Sequence, residues 1–464
     1  MTKRYHKFEA SAWFLTKVVL YLSLLATFIY ILGFDNPGLT QVSRTLGIVC
    51  VTCAVLEFMF VKTYGGYDVG RRKSKPILFS IFLATVLTDI IAYLQVMVMR
   101  VNLITVKHFA LRRLDLLLYV IIVQFIIIAV FTYAGNGIFF KVHEPENCII
   151  ITDTQTHLNE VVKAVSKYKK QYAITGAVHY KNPNLKELIK ESDALFISEV
   201  PAGERAAILH YAYKCQKNVY MTPEIEDIME MNSTDYQIDD AVMINYLGRT
   251  FTFEQRIVKR VFDIVISIIT LILTSPILLV AIILIKAEDG GSIIYKQARA
   301  TINGRIFNVY KLRTMKENDN SHSATINDDR ITKIGKFLRR TRIDEIPQVY
   351  NVLKGDMSFV GPRPEMIKNV EKYTEELPEF AYRLRVKAGL TGYAQIAGKY
   401  NTTPRDKLIM DMIYIEKFSI LLDIQLILKT VVAVFSPESS EGFIKESGNE
   451  LGLMLDMTGV KEEG

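Results

Sequence analysis

The sequence predicts a membrane protein of mixed α and α/β class. It reads as four N-terminal transmembrane helices, an α/β middle domain and a largely α-helical C-terminal domain. Three observations predict this. Half of the 464 residues are hydrophobic while 23% are charged, which suits membrane helices joined to water-facing domains. Apolar runs crowd the first third of the chain. After them the pattern changes to short apolar strands alternating with helical segments.

Charge and cysteine usage narrow the class further. The formal net charge of +7 admits nucleic acid, anionic lipid or a phosphorylated substrate as partner. No compact nucleic-acid motif occurs, so membrane and phosphate remain. Cys50 and Cys53 form a C-x-x-C, but inside an apolar helical run and without a second pair, so they read as packing residues. With Cys148 and Cys215 they fit a reduced protein with no disulfide frame. The N-terminal MTKRYHK precedes an apolar run too long for a signal-peptide core and lacking a small-residue cleavage site, the pattern of an uncleaved anchor.

The transmembrane region, 1–140, rests on apolar runs at Ala12–Gly33, Leu46–Val61, Ile77–Met99 and Leu116–Ala134. Three are long enough to cross a bilayer; the second is shorter and carries Glu57. Lys3, Arg4 and Lys7 before the first run, and Arg71, Arg72, Lys73 and Lys75 before the third, favour four crossings with both ends in the cytoplasm. Arg100, Lys107, Arg112 and Arg113 in the last loop run against that topology.

In 141–235, CIIITD, AITGAVHY, ALFISEV and NVYMTP read as buried strands, with helices between them. The alternation predicts a Rossmann-like parallel sheet. Its first strand-to-helix turn, TDTQTHLNE, holds no glycine, so the phosphate cradle of a dinucleotide site is missing and a structural or regulatory module is expected. Residues 236–253 read as a connector and 436–464 as a polar tail.

The fifth apolar run, Ile264–Ile285, differs from the others. Lys259 and Arg260 precede it, Lys286 follows it, and Ser275-Pro276 sits at its centre. Proline removes an N–H and clashes with the carbonyl four residues back, and a serine hydroxyl can satisfy a carbonyl so freed. The residues alone leave two readings open: a kinked fifth crossing, or a broken helix that re-enters the leaflet it came from.

The chemistry-bearing residues follow this run. Asp344 and Glu345 fall where a helix is expected to start, with Pro347 in its first turn and Gly355 at its stop. A helix N-terminus would keep Asp344 ionised and hold phosphate nearby, and an ionised carboxylate is a competent nucleophile toward phosphorus. Arg313, Arg339 and Arg363 offer forked donors to phosphate oxygens, and Lys311 offers a point charge. Pro362 and Pro364 stiffen the turn that carries Arg363. Taken singly these are weak signals, because an Asp-Glu pair at a helix start is more often a cap.

The ordered set is specific. The central Ser-Pro, K-x-R-T-M at Lys311–Met315, D-E-x-P-Q-x-x-N-V-L-K-G-D-M-S at Asp344–Ser358, G-P-R-P at Gly361–Pro364, G-L-T-G-x-A-Q at Gly389–Gln395, and a closing helix with Asp423 at its acidic position occur in that order. From 254 to 435 the chain resembles the monotopic polyprenyl-phosphate phosphoglycosyl transferases, the bacterial sugar transferase family. The N-terminal parts resemble the long form of that family. The resemblance implies a re-entrant helix, 257–287, broken at Ser275-Pro276, on a catalytic domain facing the cytoplasm of a bacterial inner membrane. It implies Asp344 as nucleophile, Glu345 assisting through Mg2+, and phosphate binding at Arg339 and Arg363. It implies transfer of a sugar phosphate from a UDP-sugar, glucose or galactose by analogy, to undecaprenyl phosphate, with UMP released. That step would begin an exopolysaccharide or capsule. Asp423 would be a supporting acid. The architecture permits a homodimer and contacts with polysaccharide-assembly proteins. Arg342, Gly291-Ser292 and Lys387-Ala388 depart from the usual pattern of the family at non-catalytic positions.

Two rivals compete with this reading. A membrane-anchored nucleotide-sugar dehydratase or epimerase would also join crossings to an α/β domain, but would need the missing glycine turn. A non-enzymatic scaffold would leave Asp344 and Glu345 as simple caps.

Overall fold

The computed structural model describes residues 2–100, 108–246, 251–315, 330–398, 403–434 and 452–458. Lys107 and most of the polar tail lie outside the described residues. The chain divides into two compact units, Met1–Thr222 with Ser447–Gly464, and Pro223–Glu446.

The first unit opens with α1 (Thr2–Gly33), a single turn α2 (Pro37–Thr40), α3 (Arg44–Tyr64), α4 (Ser74–Met99) and α5 (Leu114–Val142). The second apolar run is longer than its composition indicated. Ser43 Oγ accepts from Leu46 N at 3.1 Å and starts α3 early, and Gly65 at φ 94° ends it. Its 21 residues then reach the ~30 Å of a bilayer core. Glu57 is accommodated by the Thr85 hydroxyl of α4 at 3.1 Å. Cys53 is buried among Phe28, Val49, Ala92 and Tyr93, as a packing residue should be.

The strands β1 (Glu146–Thr152), β2 (Tyr172–His179), β3 (Ala194–Ile197) and β4 (Asn218–Met221) form one parallel sheet in the order β2-β1-β3-β4. Alternation along β1 decides the two faces. Ile149 and Ile151 pack toward α7 (Leu185–Glu191) and α8 (Ala202–Lys214), and Ile150 packs toward α6 (Gln155–Val165). The glycine-free turn places Asp153 at the start of α6, where it pairs with His157 at 2.6 Å. A carboxylate there opposes a bound phosphate. The tail is not wholly solvent-facing: Asp456 bridges Val178 on the free edge of β2, and Leu455 is buried against Ile150 and Leu158.

The second unit begins with α9 (Ile225–Glu230) and an antiparallel hairpin, β5 (Thr234–Ile238) with β6 (Ala241–Asn245), in the stretch expected to be a plain connector. α10 (Phe253–Asp289) is one 37-residue helix with Pro276 inside it. The hairpin β7 (Ile294–Ala300) and β8 (Ile306–Leu312) follows, then α11 (Lys333–Thr341), a 3-10 turn at Ile343–Glu345 and α12 (Gln348–Lys354). The unit closes with β9 (Ser358–Val360), α13 (Ile367–Glu376), β10 (Gly389–Thr391), α14 (Tyr393–Ala397), α15 (Pro404–Glu416) and α16 (Ile420–Val434). Its core joins Val309, Val352, Met357, Val360, Val386, Tyr414 and Leu426. Among the described residues five helices, α1, α3, α4, α5 and α10, are long and apolar enough to cross a membrane, as expected of a membrane protein.

Candidate active site

The site is assembled by fixing α12 against the β7–β8 hairpin. Asn351 is fully buried; its Oδ1 accepts from Tyr310 N at 3.1 Å and its Nδ2 donates to Asn308 O at 2.8 Å. The far end of α12 is held from α10, where Arg260 donates to Val352 O and Leu353 O, both at 2.6 Å. Those are last-turn carbonyls with no partner inside the helix, so a guanidinium is well placed there. The 3-10 turn just before α12 is thereby pressed beneath β8, bringing Glu345 to Lys311.

Glu345 Oε1 accepts from Lys311 Nζ at 2.7 Å and from Arg363 Nη2 at 3.3 Å, and Arg342 stands 3.8 Å from Oε2. Burial alone would raise its pKa, but Arg363, Lys311 and Arg342 together hold it well below the usual carboxylate range. Asp344 behaves oppositely. Burial first, then the charge of Glu345, push it up from 3.8 to about 6, against the pull of Lys311 and Arg339. No ion pair among the described residues closes on Asp344. The two neighbours therefore differ in kind. Glu345 stays ionised to organise cations, and Asp344 is a buried carboxyl that titrates near neutrality.

This differs from a helix N-terminus holding Asp344 ionised. Arg342 takes the left-handed conformation at φ 55°, a tight turn follows, and α12 starts only at Gln348 with Pro347 as its N-cap. Asp344 therefore lies four residues before α12, beyond the first turn where the helix field is felt.

Arg363 is positioned by interlocked backbones. β9 and β10 run parallel, with Gly389 opposite Ser358 and Thr391 opposite Val360. A Cβ at Gly361 would lie 2.5 Å from Lys387 O, and one at Gly389 or Gly392 would strike the backbone of Gly361. Only glycines allow that approach. Pro362 O accepts from Gly389 N at 2.8 Å, and the buried Arg383, paired with Asp411 at 2.7 Å, donates to Arg363 O at 2.8 Å.

The remaining expected residues divide. Arg339 Nε donates to Thr314 Oγ1 at 2.8 Å and bears on Asp344 electrostatically. Pro364 joins the cleft through its carbonyl, which accepts from Arg299 Nη1 at 3.2 Å. Arg313 is buried, with its guanidinium against Gly291, where any Cβ would clash with it. Asp423 is fully buried, bound by Lys259 Nζ at 2.6 Å and Tyr414 at 2.9 Å, while Tyr414 also reaches Val360 O. Asp423 thus ties α10, α15 and α16 to the strand that leads into Gly361, and is a structural acid. Ser275 Oγ donates to Ile272 O at 2.9 Å, the carbonyl that Pro276 leaves without its helical partner.

The cleft beside Glu345 is lined by Arg299, Val309, Lys311, Gln348, Arg363, Pro364 and Gln395. Its ~270 Å³ of empty space includes open solvent, so the cleft is open and a large substrate must extend beyond it. Arg299, Gln348 and Gln395 were not singled out from sequence. The alternation of β7 does place Tyr295, Gln297 and Arg299 on one face, but only the fold shows that this face meets Arg363.

No cluster of three His, Cys, Asp or Glu side chains able to cage a metal occurs among the described residues. Magnesium commonly takes one or two carboxylates and completes its octahedron with substrate phosphates and water. Glu345 Oε2 lies outside the Lys311 and Arg363 hydrogen bonds, with Arg342 at 3.8 Å, and fits that kind of donor set rather than an all-protein cage.

Comparison with known proteins identifies the family. The bacterial sugar transferase pattern matches residues 254–437. A UDP-N-acetylgalactosamine-undecaprenyl-phosphate N-acetylgalactosaminephosphotransferase of Aeromonas hydrophila is 39% identical over 39% of this chain and 44% of its own length. A UDP-glucose:undecaprenyl-phosphate glucose-1-phosphate transferase of Klebsiella pneumoniae is 36% identical over 48% of this chain and 50% of its own. One of the same description from Caulobacter vibrioides is 37% identical over 39% of this chain and 71% of its own. The chain spans about half the length of the first two relatives. By the match to its sequence pattern and by this coverage of a relative, the chain belongs to the bacterial sugar transferase family.

Proposed function

We propose that the protein transfers a sugar phosphate from a UDP-sugar to undecaprenyl phosphate. The observation that carries this reading is the pairing of a buried, electrostatically distinct Asp344 with a cleft where three cations, Arg299, Lys311 and Arg363, face one carboxylate, Glu345. That excess of positive charge suits a diphosphate. Ionised Asp344 attacks the sugar-bearing phosphorus; the P–O bond to UMP breaks and UMP leaves with the bridging oxygen. An oxygen of undecaprenyl phosphate then attacks the same phosphorus and releases the Asp344 carboxylate. Lys311 and Arg363 bind the phosphate oxygens in both steps, and Arg339 keeps Asp344 within reach of ionisation. Magnesium, held by Glu345 and the diphosphate, would neutralise charge developing on the leaving group.

The same reading extends to the membrane. α10 re-enters the cytoplasmic leaflet of the inner membrane and keeps the catalytic unit in the cytoplasm. Both ends of α10 pack on this one unit, which supports re-entry: Arg260 and Asp263 on α12 and β9, Ala281 and Ile285 on Leu312 and Leu338. The middle domain, Rossmann-like and without a phosphate loop, regulates or supports, a homodimer and polysaccharide-assembly partners complete the setting, and the product starts an exopolysaccharide or capsule.

The test is intact-protein mass after mixing full-length enzyme with magnesium and several UDP-sugars, glucose and galactose first, without lipid acceptor. A hexose-phosphate adduct, UMP release and an unmodified Asp344→Asn variant are expected. Turnover with acceptor but no adduct for any donor would exclude the covalent route. No turnover at all would exclude the activity.

A further inference from the structure

Lys311 and Arg363 share the carboxylate of Glu345, but Arg299 does not. Its guanidinium is half-buried in the same cleft, and its hydrogen bonds go to neutral acceptors: Pro364 O at 3.2 Å and Gln297 Oε1 at 2.6 Å. No carboxylate lies within ion-pair distance of it among the described residues. Burial, and then the neighbouring Arg363, disfavour its charge. A guanidinium scarcely loses its proton, so the remedy is an anion.

On the same wall, Gln395 Nε2 donates to Leu390 O at 3.0 Å. That bond decides the orientation of the amide, because a carbonyl partner requires the N–H side. Oε1 is then the atom left over, and it is buried with no partner among the described residues. A buried acceptor without a donor is costly unless a ligand supplies one. The cleft lining thus includes one cation, Arg299, on which Glu365 and Glu345 act only beyond ion-pair distance, and one residue, Gln395, with an unfilled acceptor. A bare phosphate satisfies only the first. A phosphate ester that carries sugar hydroxyls satisfies both at once, whereas a polyprenyl phosphate has no carbon-borne hydroxyl and could offer only a P–OH of the phosphate itself.

We propose that Arg299 and Gln395 form the subsite for the sugar-bearing phosphate of the donor, Arg299 binding phosphate oxygens and Gln395 Oε1 accepting from a sugar hydroxyl. The proposal rests on the functional reading above and names the half of the substrate that this wall recognises.

Two experiments test it on full-length protein in detergent. The first needs no turnover: thermal stabilisation by inorganic phosphate and by glucose 1-phosphate. Wild type is expected to be stabilised by both and more by the sugar phosphate. Arg299→Gln loses both responses at least tenfold in apparent affinity, Arg299→Lys regains part, and Gln395→Ala keeps the phosphate response but loses the preference for the sugar. Equal stabilisation of Arg299→Gln and wild type, or no response in wild type, overturns the proposal, and an unchanged preference in Gln395→Ala overturns its sugar half. The second experiment separates donor from acceptor. UMP release without lipid is expected to slow tenfold or more in Arg299→Gln, whose melting without ligand reports its folding. A defect confined to discharge of the adduct onto undecaprenyl phosphate would place the acceptor's phosphate there and overturn the donor assignment. A wild type that is stabilised by the sugar phosphate yet never releases UMP would defeat the transferase reading while leaving the subsite standing.

Discussion

At the scale of single residues, Asp344 and Glu345 show how neighbours with the same functional group take opposite roles. Glu345 sits among three cations, and Asp344 meets burial and the charge of Glu345. Raising the pKa of Asp344 means that the folded state favours its protonated form. The resulting stability is complete below the ordinary 3.8 and is lost as pH rises through about 6. At pH 7.5 the ionised carboxylate therefore costs the fold up to about 3 kcal/mol, from a rise of 3.8 to about 6 at ~1.4 kcal/mol per unit. Asp344→Asn should thus melt several degrees higher than wild type at pH 7.5 while forming no adduct, and the gain should vanish at pH 4. Adduct formation by wild type should fall as pH drops below about 6, since the proposed mechanism needs the ionised carboxylate. A pH profile flat down to 5 would count against the raised pKa.

At the scale of elements, the turn that carries Asp344 and Glu345 is held in place through contacts from α10 and α16. Lys259 lies between two buried acids, Asp423 at 2.6 Å and Asp263 at 3.8 Å, and Asp263 in turn accepts from Ser358 Oγ at 2.8 Å and Phe359 N at 3.0 Å. Removing the one cation leaves buried carboxylates uncompensated, so Lys259→Met should destabilise the catalytic unit by ~3–5 kcal/mol. The double variant Lys259→Met with Asp423→Leu should recover part of that loss, measured by thermal unfolding in detergent. If the double variant is no better than the single, Asp423 is not the main partner. Gly389→Ala is a second element-scale test. Its methyl group would strike the Gly361 backbone, so the variant should lose most phosphate binding, with a smaller loss of helix content.

At the scale of the whole molecule, the re-entrant course proposed for α10 makes a topological prediction. With Cys50, Cys53, Cys148 and Cys215 replaced by serine, cysteines introduced at Glu254 and Lys296 report the two sides of that helix. Both should react with an impermeant maleimide in inside-out vesicles and neither in right-side-out cells. Labelling from opposite sides would make α10 a crossing. Pro276→Ala restores a helical N–H for Ile272 O, now satisfied by Ser275. On the re-entrant reading Pro276 is what turns α10 back, so this variant should push the two labels toward opposite sides.

Much of the plan was legible because it depends on local pattern. Apolar length marks membrane helices, short apolar runs alternating with helical segments mark strands such as β1, and closely spaced Asp344-Glu345 and Gly361–Pro364 keep their chemistry within a few residues. The length of α3 was hidden because its start depends on the Ser43 cap rather than on apolar residues. The seat of Leu455 at the edge of β2 and the network around Asp423 were hidden for another reason. Each joins residues far apart in the chain, Gln155 with Leu455 and Lys259 with Asp423. The sequence by itself determined which chemical groups are present and which segments are helix, strand or membrane-length. Only the tertiary structure decided that Arg313 turns to Gly291 while Arg299 turns to the cleft, and that Asp344 is buried while Glu345 is paired. Those outcomes depend on burial and on through-space distances between charges, which no one-dimensional pattern contains.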